Sequence, residues 1–508
     1  MLVITISSKT YTYQDFLPFL KGPVTVRIDH DIKEKIKASH QQFAGIMARG
    51  DKIYGVNTGF GNLSQITISE SDQKQLQLNL IRSHAAGVGK PLGLGLTRII
   101  LFLKLLTFSK GASGVRFEVA NQILQFLKFD ILPVIPRQGS VGASGDLAPL
   151  AHAALALIGE GDVFYQKRQI PSELAMQKAG LNPLVLHPKE GLSLINGTQF
   201  STALAISVLI QSENLLKTAD VAGALTAEAS LSSRNNFKPE IHRLKKHKAQ
   251  IQSAINIWNI LEKSEIVLSH KNCGRMQDPY SVRCIPQVHG ASREMINHAS
   301  SVVNSEMNSV SDNPVILGND QVYNSGHFHG EFIAQAMDSS AIAMSEIGSI
   351  SQKRIHFLMK GIGDVVPPFI AHNPGLESGL MLAHVTMAAL ASENKTLSHP
   401  ASVDSISTSG GQEDFVSMAP WASVKALTIL KNIVKILAIE IFVSANVSLF
   451  FHKKLKPGIG CQPVFNLLKK QIKFIKGDHI IYKDIEVVSA LIEEGKIVSS
   501  VQKQVSLG

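Results

Sequence analysis

FIAQAMDSSAIAMSEIGSISQKRIHFL (residues 332–358) decides the fold class. Phe332, Ala336, Ala343, Ile347, Ile350 and Leu358 recur three or four residues apart, or at multiples of that spacing. Such a period marks one apolar face of a long helix. The same texture runs through STALAISVLIQSENLLKTADVAGAL (201–225) and VKALTILKNIVKILAIEIFVSANVSL (424–449). Helices this long bury their stripes against one another, which predicts a bundle. Before about residue 200 the chain is rich in glycine and turn signals, and β-type alternation is confined to pieces such as MLVITIS (1–7) and VTVRID (24–29). The expected architecture is mainly α: a mixed N-terminal domain over 1–200 and an elongated helical-bundle domain over 201–508. No 20–50-residue repeat or low-complexity segment interrupts it.

Composition narrows the class. The chain has 508 residues, 44% hydrophobic and 18% charged, ample for large cores. MLVITISSKTYTY lacks the pattern of a signal peptide. The most apolar stretches, IILFLKLLTF (99–108) and ILAIEIFVSANVSLFF (436–451), are interrupted by Lys104 and Glu440, which argues against membrane spans. Cys273, Cys284 and Cys461 show no CxxC pairing, consistent with a reducing, cytoplasmic setting. The net charge of +10 gathers in runs such as HRLKKHK (242–248) and KKQIKFIK (469–476). No aromatic platform accompanies them, so they read as solvated faces, the second on a helix, rather than a nucleic-acid surface.

GASG occurs twice, in KGASGVRFEV (110–119) and in RQGSVGASGDLAPLAH (137–152). The first copy leads into an amphipathic run, where Ser113 is suited to cap a helix. The second adds Gly139, Ser140 and Gly142 ahead of Gly145, so the backbone there bends sharply. Attack of the Gly145 nitrogen on the Ala143 carbonyl would close a five-membered ring. Loss of that water and of the Ser144 hydroxyl would leave a conjugated imidazolone with an exocyclic methylene. The tripeptide alone is weak evidence, since average usage gives one in about every five chains of this length.

Its surroundings are specific. GSVGASGDLAPLAH, with IYGVNTGFG (53–61), SHAAGVG (83–89), INGTQ (195–199), QDPYSVRC (277–284), DNP (312–314), FHG (328–330) and QEDFVSM (412–418), closely resembles the histidine and aromatic amino acid ammonia-lyases. The motifs fall in the family's order from about residue 50 to 420. The resemblance implies a long-helix bundle of the ammonia-lyase (fumarase/aspartase-like) type. It also implies a 4-methylideneimidazol-5-one (MIO) group formed autocatalytically from Ala143, Ser144 and Gly145, with no external cofactor. By the same resemblance Tyr54 is the catalytic base, and Asn196 and Tyr280 hold the MIO and the leaving amine. Arg283 takes the substrate carboxylate, and Gln277, Phe328 and Gln412 line the pocket. Homotetramers with shared active sites are implied too. The chemistry is consistent with these residue types: an amine leaves poorly and a β-hydrogen is weakly acidic, so an electrophile and a positioned base are both needed.

His84 and Glu413 match the positions that hold an imidazole in the histidine lyases, which favours L-histidine as substrate and urocanate as product. Glu413 would accept from one ring N–H and His84 would donate to the other nitrogen. Departures keep a tyrosine or phenylalanine lyase, or an aminomutase, as the alternative: His327 in GHFHG, Gly411 before QED, MDSS at 337–340, and NLIRSH at 79–84. Two rivals are weaker. His327, His329 and Glu331 would share one face of a strand like metal ligands, but no further ligands follow at familiar spacing. GASGD misses the GxSxG elbow of serine hydrolases by one position.

Overall fold

The computed structural model describes residues 2–270, 274–318 and 321–508; Cys273 lies outside them. Helices dominate, and the three periodic stretches form Gln199–Ala229, Glu331–Met359 and Ala419–Phe451. Ala336, Ala343, Ile347, Ile350 and Leu358 are buried as their spacing requires. Phe332 is not: it is 72% exposed in the first turn. A period says which residues share a face, not how far along the helix neighbours cover it.

Two compact units replace the single cut near residue 200. The first comprises 1–210, 300–338 and 400–424; the second comprises 211–299, 339–399 and 425–508. Four of the boundaries fall inside long helices, where composition carries no signal.

In the first unit, the two alternating pieces form the parallel strands Val3–Ile6 and Thr25–Ile28, with Val3 opposite Thr25. Every residue of the helix Leu94–Ser109 from Thr97 to Ser109 is buried, the charged Arg98 and Lys104 among them. The helix after the first GASG begins at Phe117 with Arg116 as its N-cap. Ser113 therefore does not cap it. Gly111 and Gly114, both at positive φ, turn the chain there, and the buried Ser113 hydroxyl has no hydrogen-bond partner.

In the second unit, Glu440, the charge inside the apolar run, is fully buried and paired. Arg354 donates to it from Nε at 2.5 Å and from a terminal nitrogen at 2.8 Å. Ser351 and Thr226 donate as well. Ala419–Phe451 is long and apolar enough to cross a membrane, but 83% of its most apolar window is buried within the protein. In KKQIKFIK the helix stops at Gln471 and Ile472 is extended, so Lys473 and Lys476 do not continue a helical face.

Glu228 is also buried in this unit. Its Oε1 accepts from Ser264 at 2.5 Å and from the Gly458 N–H at 2.7 Å. Burial raises the carboxyl from 4.5 to about 7, against the lowering effect of those bonds. The stability this group contributes is therefore full below pH 4.5 and lost as pH rises through about 7. Glu228→Gln, which cannot ionise, should gain stability relative to wild type between pH 5 and pH 8.5, by on the order of 1–3 kcal/mol from melting curves at the two pH values. A pH-independent difference in melting would show that the buried carboxyl is already charged.

Candidate active site

The first unit forms an open cavity of about 610 Å³ whose lining includes Tyr54, His84, Ser144, Asn196, Phe328, Gln412 and Glu413. Seven residues from six separate stretches of sequence thus meet at one place.

Tyr54 sits in the turn after Ile53. Gly55 follows it because a Cβ there would lie 2.5 Å from the Phe60 ring and 2.8 Å from Leu192. The Tyr54 ring meets Phe60 edge-on at 6.2 Å. Its phenolic oxygen accepts the Gly61 N–H at 3.0 Å. The role of Gly61 escaped the sequence, although it closes the IYGVNTGFG stretch; the glycine itself was the available signal, and the structure places it at positive φ.

Ser144 lies between the strand Pro136–Gln138 and the helix Leu147–Leu157. Ser144 has φ +49° and Gly145 φ +78°, so the backbone turns left-handed across both. Any Cβ at position 145 would collide with the carbonyl oxygen of Gly197. That carbonyl also accepts the Asp146 N–H at 2.8 Å, pinning the turn to the segment after Asn196. Asp146 is buried, and its carboxylate takes the Ser201 N–H at 2.8 Å and the Ser201 hydroxyl at 2.7 Å in the first turn of the helix Gln199–Ala229. Burial lifts its carboxyl to about 6 despite these bonds and the nearby Lys104.

Asn196 ends the helix Glu190–Ile195, and its side-chain amide donates to the Asn313 carbonyl at 2.9 Å. His84 ends the helix Gln73–His84. Its Nδ1 faces the Leu80 carbonyl at 2.8 Å. Burial lowers its pKa, partly offset by Leu80 and Glu413, so the neutral ring carries its proton on Nδ1. Nε2 is then an acceptor, which corrects the donor role expected for it. Glu413 Oε1 accepts from the Ser144 hydroxyl at 3.1 Å. Its Oε2 accepts from Thr408 at 2.9 Å and Ser409 at 2.5 Å.

Tyr280, Arg283 and Gln277 belong to the second unit. Tyr280 and Arg283 share one short helix, with the guanidinium 4.6 Å from the Tyr280 ring centre. Tyr280 is 71% exposed, whereas Arg283 Nε is buried without a partner. The metal alternative loses its geometry. His327 and His329 lie in a turn and Glu331 begins a helix, so the three do not share a strand face. His329 instead faces the Phe415 carbonyl at 3.3 Å.

A helical protein whose strained Ala-Ser-Gly turn shares a cavity with a tyrosine, an asparagine and a His–Glu pair is of the amino acid lyase class. The sequence matches the aromatic amino acid lyase family over residues 11–470. The chain belongs to that family of carbon–nitrogen lyases. It is 43% identical to the histidine ammonia-lyase of Myxococcus xanthus over 500 residues, 98% of each chain. It is likewise 43% identical to that of Burkholderia multivorans, covering 97% of each. Among solved structures, histidine ammonia-lyase from Trypanosoma cruzi superimposes with a TM-score of 0.91 at 35% identity, covering 100% of this chain and 96% of the other. Tyrosine aminomutase from Streptomyces globisporus gives 0.93 at 31% identity, with both chains fully covered.

Proposed function

We propose that this protein eliminates ammonia from L-histidine to give trans-urocanate, using an MIO group that forms autocatalytically from Ala143, Ser144 and Gly145 without an external cofactor. The observation that carries the reading is the convergence of His84 and Glu413 with the Ser144 turn on one cavity. The residues fit the group: position 145 admits no side chain, and the left-handed turn bends the backbone around Ser144. Ring closure joins the Gly145 nitrogen to the Ala143 carbonyl carbon and releases one water; loss of the Ser144 hydroxyl with its α-hydrogen releases a second. The finished group supplies an electrophile that turns the substrate amine into a competent leaving group.

The chain's own residues do the rest. Tyr54, held by the Gly61 N–H, takes the β-proton. Asn196 offers its amide beside the turn. Glu413 reads the imidazole: the hydroxyl that processing removes is the one bound to Oε1, so processing frees that oxygen for a ring N–H. His84 presents Nε2 as a second acceptor, which suits an imidazole carrying a proton on each nitrogen. Phe328 and Gln412 shape the walls. Arg283 clamps the carboxylate with Tyr280 and Gln277 alongside, brought by neighbouring protomers of a cytoplasmic homotetramer. The exposure of Tyr280 and the unpartnered Arg283 Nε favour such sharing.

The test is direct. Purified protein is incubated with L-histidine, L-tyrosine or L-phenylalanine at matched low concentrations, and the ultraviolet absorbance of the conjugated acid is followed. Urocanate should form fastest. Faster coumarate from tyrosine would replace the histidine reading, and a β-amino acid product would make the enzyme an aminomutase. Glu413→Gln should slow histidine by about ten- to 150-fold, the worth of one charge-assisted hydrogen bond. Phenylalanine, whose ring cannot use the contact, should change far less. Equal losses for both would remove Glu413 from ring recognition.

A further inference from the structure

The lysine that interrupts the apolar run 99–108 has no part in the chemistry above, yet it is buried in the first unit. Its Nζ donates to two backbone carbonyls, Ser193 at 3.1 Å and Asn196 at 2.7 Å. An amine buried in an apolar helix is costly unless acceptors and opposite charges converge on it. Here they do. Asp312 and Asp146 both attract Lys104, while Lys189, buried and 3.2 Å from Asp312, repels it. Two lysines and two aspartates therefore balance behind the cavity wall.

The position of this cluster matters more than its charge count. Asn196 is held at both ends, its carbonyl by Lys104 and its side-chain amide by the Asn313 carbonyl. Gly197, the next residue, carries the carbonyl that receives the Asp146 N–H and blocks any Cβ at position 145. The amine thus anchors the segment on which both Asn196 and the Ser144 turn rest. Ordinary helix packing would be served by a leucine or methionine at position 104, as at its neighbours Leu101, Leu103 and Leu105.

We propose that Lys104 is a positioning residue, whose buried amine fixes the Asn196 carbonyl so that the Asn196 side chain is presented at the Ser144 turn. This rests on the lyase reading of the cavity. It differs from a purely structural role in one respect: its contribution to turnover exists only while Asn196 is present.

A double-mutant cycle separates the two. Lys104→Met, Asn196→Ala and the double variant are compared by intact mass, melting temperature, and kcat and KM for ammonia release. Lys104→Met should still lose two waters and should lower kcat by about tenfold or more with KM changed by less than about threefold. In the Asn196→Ala background the same change should cost less than about threefold, because residues acting through one contact are not additive. Lys104→Gln, which keeps an N–H donor, should recover part of the loss. If Lys104→Met does not fold, Lys104→Gln is read in the same cycle, where its smaller loss should likewise shrink in the Asn196→Ala background. Equal losses in both backgrounds, turnover within about twofold of wild type, or a folded but unprocessed protein would each overturn the proposal. Asn196→Ala with wild-type turnover would instead overturn the reading of the cavity, so the two failures are distinct.

Discussion

Ser144→Ala should fall short of its translated mass by no more than the one water of ring closure, whereas wild type should fall short of its own by two. Alanine has no hydroxyl to eliminate, so the exocyclic methylene cannot form whatever the backbone does. Activity should drop below about one-thousandth of wild type, a loss of at least roughly 4 kcal/mol of transition-state stabilisation. The amine would have to leave without an electrophile, which none of the other described lining residues supplies. The fold should persist. Alanine at φ +49° is somewhat strained, and Glu413 loses one of its three hydroxyl donors, but Thr408 and Ser409 still hold it. Mass spectrometry and a melting curve on the same preparation decide the matter. A wild-type mass equal to its translated sequence would end the MIO reading altogether.

Tyr54→Phe should keep both the two-water mass loss and the fold while lowering turnover by about 10²–10⁴-fold, the usual worth of a positioned base. The edge-on contact with Phe60 survives in a phenylalanine, and only the oxygen that accepts the Gly61 N–H is removed. Turnover within a few-fold of wild type would assign proton abstraction to another group. The pair of variants divides the chemistry cleanly: Ser144→Ala removes the electrophile and Tyr54→Phe removes the base. Only the first abolishes the two-water loss.

Much of this was legible in particular residues. The spacing of Ala336, Ala343, Ile347, Ile350 and Leu358 gave a helix with a buried face, because helical period is fixed by local backbone geometry. The short β pieces near the N-terminus paired as strands for the same local reason. The second GASG was marked by glycines whose positive φ no other residue takes easily. Lys104 and Glu440 stood out as charges in apolar runs, yet the sequence could say only that they interrupt a membrane span. Their partners, Ser193, Asn196 and Arg354, lie 86 to 92 residues away in the chain.

What the sequence determined alone is local: which segments are helical, which turn needs glycine, and which residue types could build an electrophile, a base and an imidazole clamp. Tertiary structure decided the rest. It put Ser144 against Glu413, 269 residues on, and spent Nδ1 of His84 on a backbone carbonyl so that its free nitrogen accepts rather than donates. It left Ser113 without a helix to cap and Phe332 in solvent. It also assigned Tyr280 and Arg283 to a different compact unit from Tyr54. The physical reason is common to all of these. Backbone dihedrals respond to the next few residues, whereas a proton's position, a buried charge's partner and a cavity's lining depend on atoms that only the packed chain brings within about 3 Å of one another.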